Sequence, residues 1–214
     1  MEDIEDILDR VSRRISPCPK ERAKTERIAD GIRLRVSEAA KEASLEADVR
    51  LDGSVAKDTW LSGEADIDIF MRVPRELARE ELGTKCLAVA KKAVESYVER
   101  YAEHPYIETM SEGVRINIVP CFNVEKGKWK SATDRTPFHT EYMRALLDER
   151  LKNEIRLTKK FAKGIGVYGA EIKTKGFSGM LCETLTLHHQ SFKELLRAAA
   201  TWKPGQLIDI EGFY

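Results

Sequence analysis

The chain has 214 residues and a mass of 24.3 kDa, 42 % of it hydrophobic, which suits one generous domain or two small ones. A chain of this length buries roughly 70 % of its unfolded surface, so neither intrinsic disorder nor dependence on disulfides is expected. Thirty-six basic residues balance 36 acidic ones, and the whole-molecule charge selects no partner.

Cys18, Cys86, Cys121 and Cys182 stand far apart with no C-x-x-C pair, the pattern of reduced thiols rather than of a disulfide frame or zinc site. The first residues, Met-Glu-Asp-Ile-Glu-Asp, are acidic where a signal peptide is basic and then apolar. No apolar run approaches the ~20 residues that a membrane span needs. The expectation is a soluble, cytoplasmic protein with no membrane partner.

In chain order, residues 4–15 read as a short helix stopped by Ser16-Pro17-Cys18-Pro19. Residues 20–44 follow as a long amphipathic helix, with Ile28, Ile32, Val36 and Ala39 on one face. Residues 47–51 alternate as a strand running into Gly53-Ser54, and residues 66–72 alternate again between Gly63 and Pro74. A helix is predicted over 75–97, then strands over 100–110 and 114–120. Beyond Lys130 the pattern turns helical, over 138–151, 154–163, 177–190 and 192–202. The predicted class is α+β: a mixed sheet flanked by helices over residues 1–137, then a basic helical lobe over 138–214. From Arg150 to Pro204 eleven Lys or Arg face four Glu, a plausible polyanion surface or an ordinary solvated helix face.

The chemistry concentrates in Asp66-Ile67-Asp68-Ile69-Phe70. Residues two apart on a strand share a face, so both carboxylates point one way while Ile67 and Ile69 point into the core. Two such carboxylates with no neighbouring cation hold a divalent ion, and Mg²⁺ takes one or two carboxylates plus phosphate oxygens. With 36 acids in the chain, roughly six acid-x-acid pairs arise by chance, so the motif needs context. Gly53-Ser54-Val55-Ala56-Lys57 supplies it. The glycine permits a tight turn that gathers N–H groups, the Ser54 hydroxyl and the Lys57 ammonium, donors suited to a triphosphate.

The run Gly53-Ser54-Val55-Ala56-Lys57-Asp58-Thr59-Trp60-Leu61-Ser62-Gly63-Glu64-Ala65-Asp66-Ile67-Asp68 resembles the signature of the DNA polymerase β-like nucleotidyltransferases. More narrowly the chain resembles the archaeal-type (class I) CCA-adding tRNA nucleotidyltransferases. Arg100-Tyr101-Ala102-Glu103-His104-Pro105-Tyr106, Val119-Pro120-Cys121, Asp134-Arg135-Thr136-Pro137-Phe138-His139 and Val167-Tyr168-Gly169-Ala170-Glu171 carry the narrower likeness. The resemblance implies a polymerase β-like head followed by a helical neck, adding C, C and A to tRNA 3′ ends from CTP and ATP. By motif position, Asp66 and Asp68 would be the metal ligands, for Mg²⁺, and Ser54 and Lys57 the triphosphate contacts. Thr136, His139, Lys159 and Tyr168 would complete the nucleotide site. Lys152, Arg156, Lys163, Lys173 and Lys175 are expected to meet the phosphates of the acceptor stem, and a homodimer is compatible with the resemblance.

Two departures stand out. The family places a third metal-binding, catalytic aspartate where this chain has Asn117, an amide that carries no charge and accepts no proton; the expectation is nucleotide binding with weak or absent catalysis. Family members are also longer, and the likeness ends near Leu207-Ile208-Asp209-Ile210, before the arginine that reads the incoming base. Competing readings are another nucleotidyltransferase of this superfamily, such as an oligoadenylate synthetase, a poly(A) polymerase or a small-molecule adenylyltransferase, and a non-catalytic nucleotide- or RNA-binding relative.

Overall fold

The computed structural model describes residues 3–212. Tertiary contacts divide the chain into two units, one of residues 17–145 and one that joins the segment ending at Ser16 to the chain from Leu146 onward.

The first unit is built on a five-stranded mixed sheet of β1 (Asp48–Asp52), β2 (Asp66–Pro74), β3 (Val98–Tyr101), β4 (Pro105–Ser111) and β5 (Val114–Asn123), in the order β1-β2-β5-β4-β3. Only β2 and β5 run parallel. A parallel pair needs a long crossover, and here it includes helices and the β3–β4 hairpin. One sheet face is apolar: Ile67, Ile69, Met71 and Val73 of β2 align with Ile116, Ile118 and Phe122 of β5, all essentially excluded from water. Against it lies α2 (Pro19–Glu42), whose buried Ile28, Ala29, Ile32, Val36 and Ala39 keep the helical spacing read from the sequence. The helical segment from 79 to 92 completes that layer: a turn α4 (Arg79–Glu81), a π-helical stretch Leu82–Cys86 and α5 (Leu87–Lys92).

The sequence predicts more helix here than the fold contains. The chain turns at Pro74, where the Leu77 N–H donates to its carbonyl at 3.1 Å, and helix begins only at Arg79. It stops at Lys92, and the β-favouring run Tyr97-Val98 enters a strand instead. The single strand expected over 100–110 is a hairpin. Ala102, Glu103 and His104 form its bend, the Ala102 N–H donating to the His104 carbonyl at 3.3 Å, and Pro105 opens β4, where a missing N–H is tolerated.

The opposite sheet face is polar and carries α3 (Gly53–Ala56) at the end of β1, and a 3₁₀ turn (Ala132–Arg135) that leads into α6 (Thr136–Leu146). Asp134 fastens this turn. Its Oδ1 accepts from the Phe122 N–H and the Ser131 hydroxyl, and its Oδ2 from the Lys130 and Ser131 N–H groups, each at 2.8 Å.

The second unit holds α1 (Ile4–Ile15), α7 (Glu149–Gly164), α8 (Gly179–His189) and α9 (Phe192–Ala199). Side-chain caps fix the helix starts: Asp148 accepts from the Leu151 N–H at 2.7 Å, and Ser178 and Ser191 accept from the Leu181 and Glu194 N–H groups at 3.1 Å. The Asp148 cap splits the helix expected over 138–151 and starts α7 five residues earlier than predicted. The boundary expected at 137/138 falls inside α6, whose Thr140 is tied to Gly53 of the sheet unit, and α1 belongs to the helical unit through contacts with α7.

Cys18, Cys86, Cys121 and Cys182 are free thiols. No helix among the described residues is long and apolar enough to cross a membrane. Because Asp134 is buried and accepts four hydrogen bonds, Asp134→Ala should strand several buried donors and lower stability by about 3 kcal/mol, read from urea unfolding of the whole chain. A loss below about 0.5 kcal/mol would show that the turn does not depend on this carboxylate.

Candidate active site

The polar face of the sheet gathers its carboxylates by register. Asp68 of β2 lies directly opposite Asp52 of β1 on one side and Asn117 of β5 on the other, and Glu108 of β4 lies opposite Asn117. Asp66 lies opposite Arg115. Directly paired residues share a sheet face, so Asp66 and Asp68 point the same way, as their spacing predicts, and Ile116 and Ile118 flank Asn117 from the core side.

The turn after β1 touches this row. Gly53 has φ +74°, a conformation that favours glycine, and a Cβ built there would meet Asp68 Oδ2 at 2.1 Å. Its N–H donates to Thr140 Oγ1 at 3.3 Å, which ties the turn to α6. Ser54 follows as the second residue of α3, half-buried, its carbonyl accepting from the Thr59 N–H at 3.0 Å. Lys57 ends that helix, largely buried, and its charge acts on Asp68. Glycine turn, hydroxyl, ammonium and carboxylate pair thus occupy one corner of the sheet. Thr136 opens α6, its carbonyl accepting from the Thr140 hydroxyl at 3.1 Å, and half-buried His139 follows three residues later on the same helix.

Two contacts were not legible as site features. The Arg115 guanidinium grips Asp66 with two parallel bonds, Nε to Oδ1 and Nη2 to Oδ2, both at 2.8 Å. The condition that the carboxylates lack a neighbouring cation is therefore not met at Asp66. Strand alternation carried the signal, since Arg115 sits two residues before Asn117 and must share its face. The second is Asp52, fully buried, with Arg50 Nη2 3.7 Å from its Oδ1. Burial pushes its carboxyl above the usual carboxylate range, and the Arg50 charge pulls the other way.

The Asn117 amide donates to Asp68 Oδ1 at 2.9 Å. Removal from water pushes the Asp68 carboxyl up to about 6, the Asn117 bond and Lys57 opposing the rise and the charges of Asp66 and Asp52 adding to it. Among the described residues no three His, Cys, Asp or Glu side chains gather as a metal-holding group. With an uncharged amide at 117, the donor set fits one divalent ion on Asp66 and Asp68, completed by ligand oxygens, rather than a pair of ions.

The remaining expected site residues lie in the helical unit. Lys159 is 3 % exposed and its ammonium is bonded to Glu183 at 2.7 Å, itself buried. Tyr168 pairs with Phe177 in an isolated bridge, and Lys163 Nζ lies 4.9 Å from the centre of its ring. Of the five residues expected to meet RNA phosphates, Lys163, Lys173 and Lys175 are exposed and Lys152, bonded to Glu149 at 2.5 Å, is half-exposed. Arg156 is the exception. It is 1 % exposed, with Nη1 donating to Asn153 Oδ1 at 2.8 Å, so it belongs to the interior of this unit and not to a surface that phosphates reach.

Because Asp68 must be ionised to hold a cation and its carboxyl is pushed up to about 6, binding should weaken from the acid side. Mn²⁺ affinity, measured by calorimetry, is expected to be full near about pH 7.5 and to fall as the pH drops through about 6. Equal affinity near about pH 5 would remove Asp68 from the ligand set.

The nucleotidyltransferase domain family matches residues 33–139, half of the chain, and the second domain of tRNA nucleotidyltransferases matches residues 153–214. The CCA-adding enzyme of Halobacterium salinarum is 42 % identical over 98 % of the chain and 46 % of its own length. Those of Methanopyrus kandleri and Halorubrum lacusprofundi are 42 % and 44 % identical, over 98 % and 99 % of the chain. The chain thus spans about half the length of the curated relatives it matches. Among solved structures, a Cid1 poly(U) polymerase superposes with a TM-score of 0.65 at 16 % identity, covering 86 % of this chain and 54 % of the other. CdnC of E. coli MS115-1 superposes with 0.65 at 16 %, covering 89 % and 69 %; both likenesses speak for the fold alone. With the glycine turn and the carboxylate pair inside the first matched region, and a tRNA nucleotidyltransferase second domain following it, the chain belongs to the nucleotidyltransferase domain family.

Proposed function

We propose that this chain is the nucleotidyl-transferring half of a CCA-adding tRNA nucleotidyltransferase, taking CTP and ATP as donors and a tRNA 3′ end as acceptor in the cytoplasm. The observation that carries the reading is the contact between Gly53 and Asp68, which joins a phosphate-type turn to a carboxylate pair on one corner of the sheet. Phosphoryl transfer asks mainly for positioning and charge neutralisation, and this corner offers both.

In this reading Ser54, Lys57 and the N–H groups of the turn hold the triphosphate, and Asp66 and Asp68 hold its divalent ion, Mg²⁺. The ion, when bound, neutralises the developing charge on the phosphate oxygens. Thr136 and His139 at the start of α6 are proposed to contact the nucleotide, as are Lys159 and Tyr168 by motif position. For Lys159 to do so, its ammonium must be shared with Glu183. Lys152, Lys163, Lys173 and Lys175 are proposed to meet the acceptor-stem backbone; Arg156, buried, is not among them.

Asn117 sets the rate. An amide neither adds charge to the ion site nor accepts the proton of an attacking 3′-hydroxyl, so the chain is expected to bind nucleotide well and transfer it slowly. Asn117→Asp should raise CMP and AMP incorporation into a truncated tRNA by roughly ten- to a thousandfold, the range typical of one acid–base or electrostatic group. No gain would defeat this account of Asn117. A non-catalytic binding relative is the second reading, favoured by the bond that Asn117 donates to Asp68. Nucleotide binding without transfer, unrescued by the substitution, would select it.

The RNA surface has a separate test. Phosphate contacts release counterions, so affinity for an acceptor-stem minihelix should fall tenfold or more between about 50 and 200 mM salt. A flat dependence would exclude the lysine cluster as a backbone contact.

A further inference from the structure

Arg115 takes no part in the reading above, yet it makes the best-formed ionic contact at the carboxylate pair. Its two bonds to Asp66 are parallel and equal at 2.8 Å, a fork-to-carboxylate geometry that only arginine offers. Asn117, two residues along the same face of β5, engages Asp68 at 2.9 Å. The parallel register sets Arg115 against Asp66 and Asn117 against Asp68, so β5 presents one donor group to each carboxylate of β2. We propose that Arg115 is an internal counter-ion of Asp66, and that a divalent ion enters this site by exchange, displacing the guanidinium from the carboxylate.

The proposal rests on the reading of Asp66 and Asp68 as the ion-holding pair, and it adds a positioning residue that this reading does not contain. Exposure makes the exchange feasible. The Arg115 and Asp66 side chains are 51 % and 40 % exposed, so water screens their attraction and the pair is weak enough for a doubly charged ion to break. The pair offsets part of the charge of Asp66, whose repulsion adds to the upward push on the Asp68 carboxyl. When displaced, the guanidinium remains tethered on β5, one strand away, as a cation at the rim of the site.

The experiment is direct Mn²⁺ binding to the intact chain without nucleotide, by titration calorimetry or by the fall of the free-ion electron paramagnetic resonance signal. Three variants are compared: Arg115→Gln, Arg115→Lys and Asp66→Asn. Exchange predicts that Arg115→Gln tightens Mn²⁺ binding about two- to fivefold, the weight of one exposed ion pair. It also predicts that Arg115→Lys, which keeps the charge and loses the fork, binds more tightly than the parent. Long-range charge alone would leave Arg115→Lys equal to the parent, and that result overturns the exchange. Unchanged or weaker binding in Arg115→Gln, with the melting temperature preserved, overturns it too. Binding that survives Asp66→Asn at full strength instead defeats the assignment of the ion site, a failure distinct from that of Arg115.

Discussion

The parallel pairing of β2 with β5 is the constraint from which the rest of the site follows. Each strand alternates apolar and polar residues, so a single register decides both what fills the core and what meets on the other face. Ile67 and Ile69 lock against Ile116 and Ile118 in the interior, with no exposure at any of the four. Given that lock, Asp66 and Asp68 have no choice of neighbours: Arg115 and Asn117 are set beside them. A slip of β2 by one residue would expose Ile67 and Ile69 and turn Asp66 and Asp68 toward the core, at a cost of many kcal/mol by either count.

The electrostatic character of the site comes from these forced neighbours. One carboxylate is offset by a guanidinium at the surface, while the other sits deeper among Asp52, Asn117 and Lys57, and its affinity for a proton rises. The two members of a motif that reads as symmetric in sequence thus differ in what they ask of a ligand. In the helical unit the same logic runs deeper. Lys159 and Glu183 are bonded to each other at 2.7 Å out of reach of water, where the geometry of a charged pair decides whether burial is tolerated.

Much of this was legible from the chain alone. The glycine turn, the shared face of Asp66 and Asp68, the orientation of residue 117 and the α2 stripe all follow from periodicity, and the family likeness is matched by relatives with about 42 % identity. What escaped has physical causes. The hairpin at Ala102–His104 has no Asn-Gly or Gly-Gly signal, only a proline that opens its second strand. Arg156 and Lys159 look like members of a basic surface because charge counting does not see burial; they sit on α7 positions turned toward α8 or the interior, where long side chains fold back to find partners. Asp134 lies within a run that reads as nucleotide-binding, and its four accepted bonds make it a fastening of the fold. Arg115 becomes a partner of Asp66 only through the β2–β5 register, which the sequence does not display.

Gly53 carries a consequence for how such a site can change. The space a side chain would fill at this position is taken by Asp68, so the backbone that would cradle phosphates and the group that would hold their counter-ion lie against each other. Variation cannot reshape the cradle to admit a bulkier or differently charged donor without also uprooting the acid beside it.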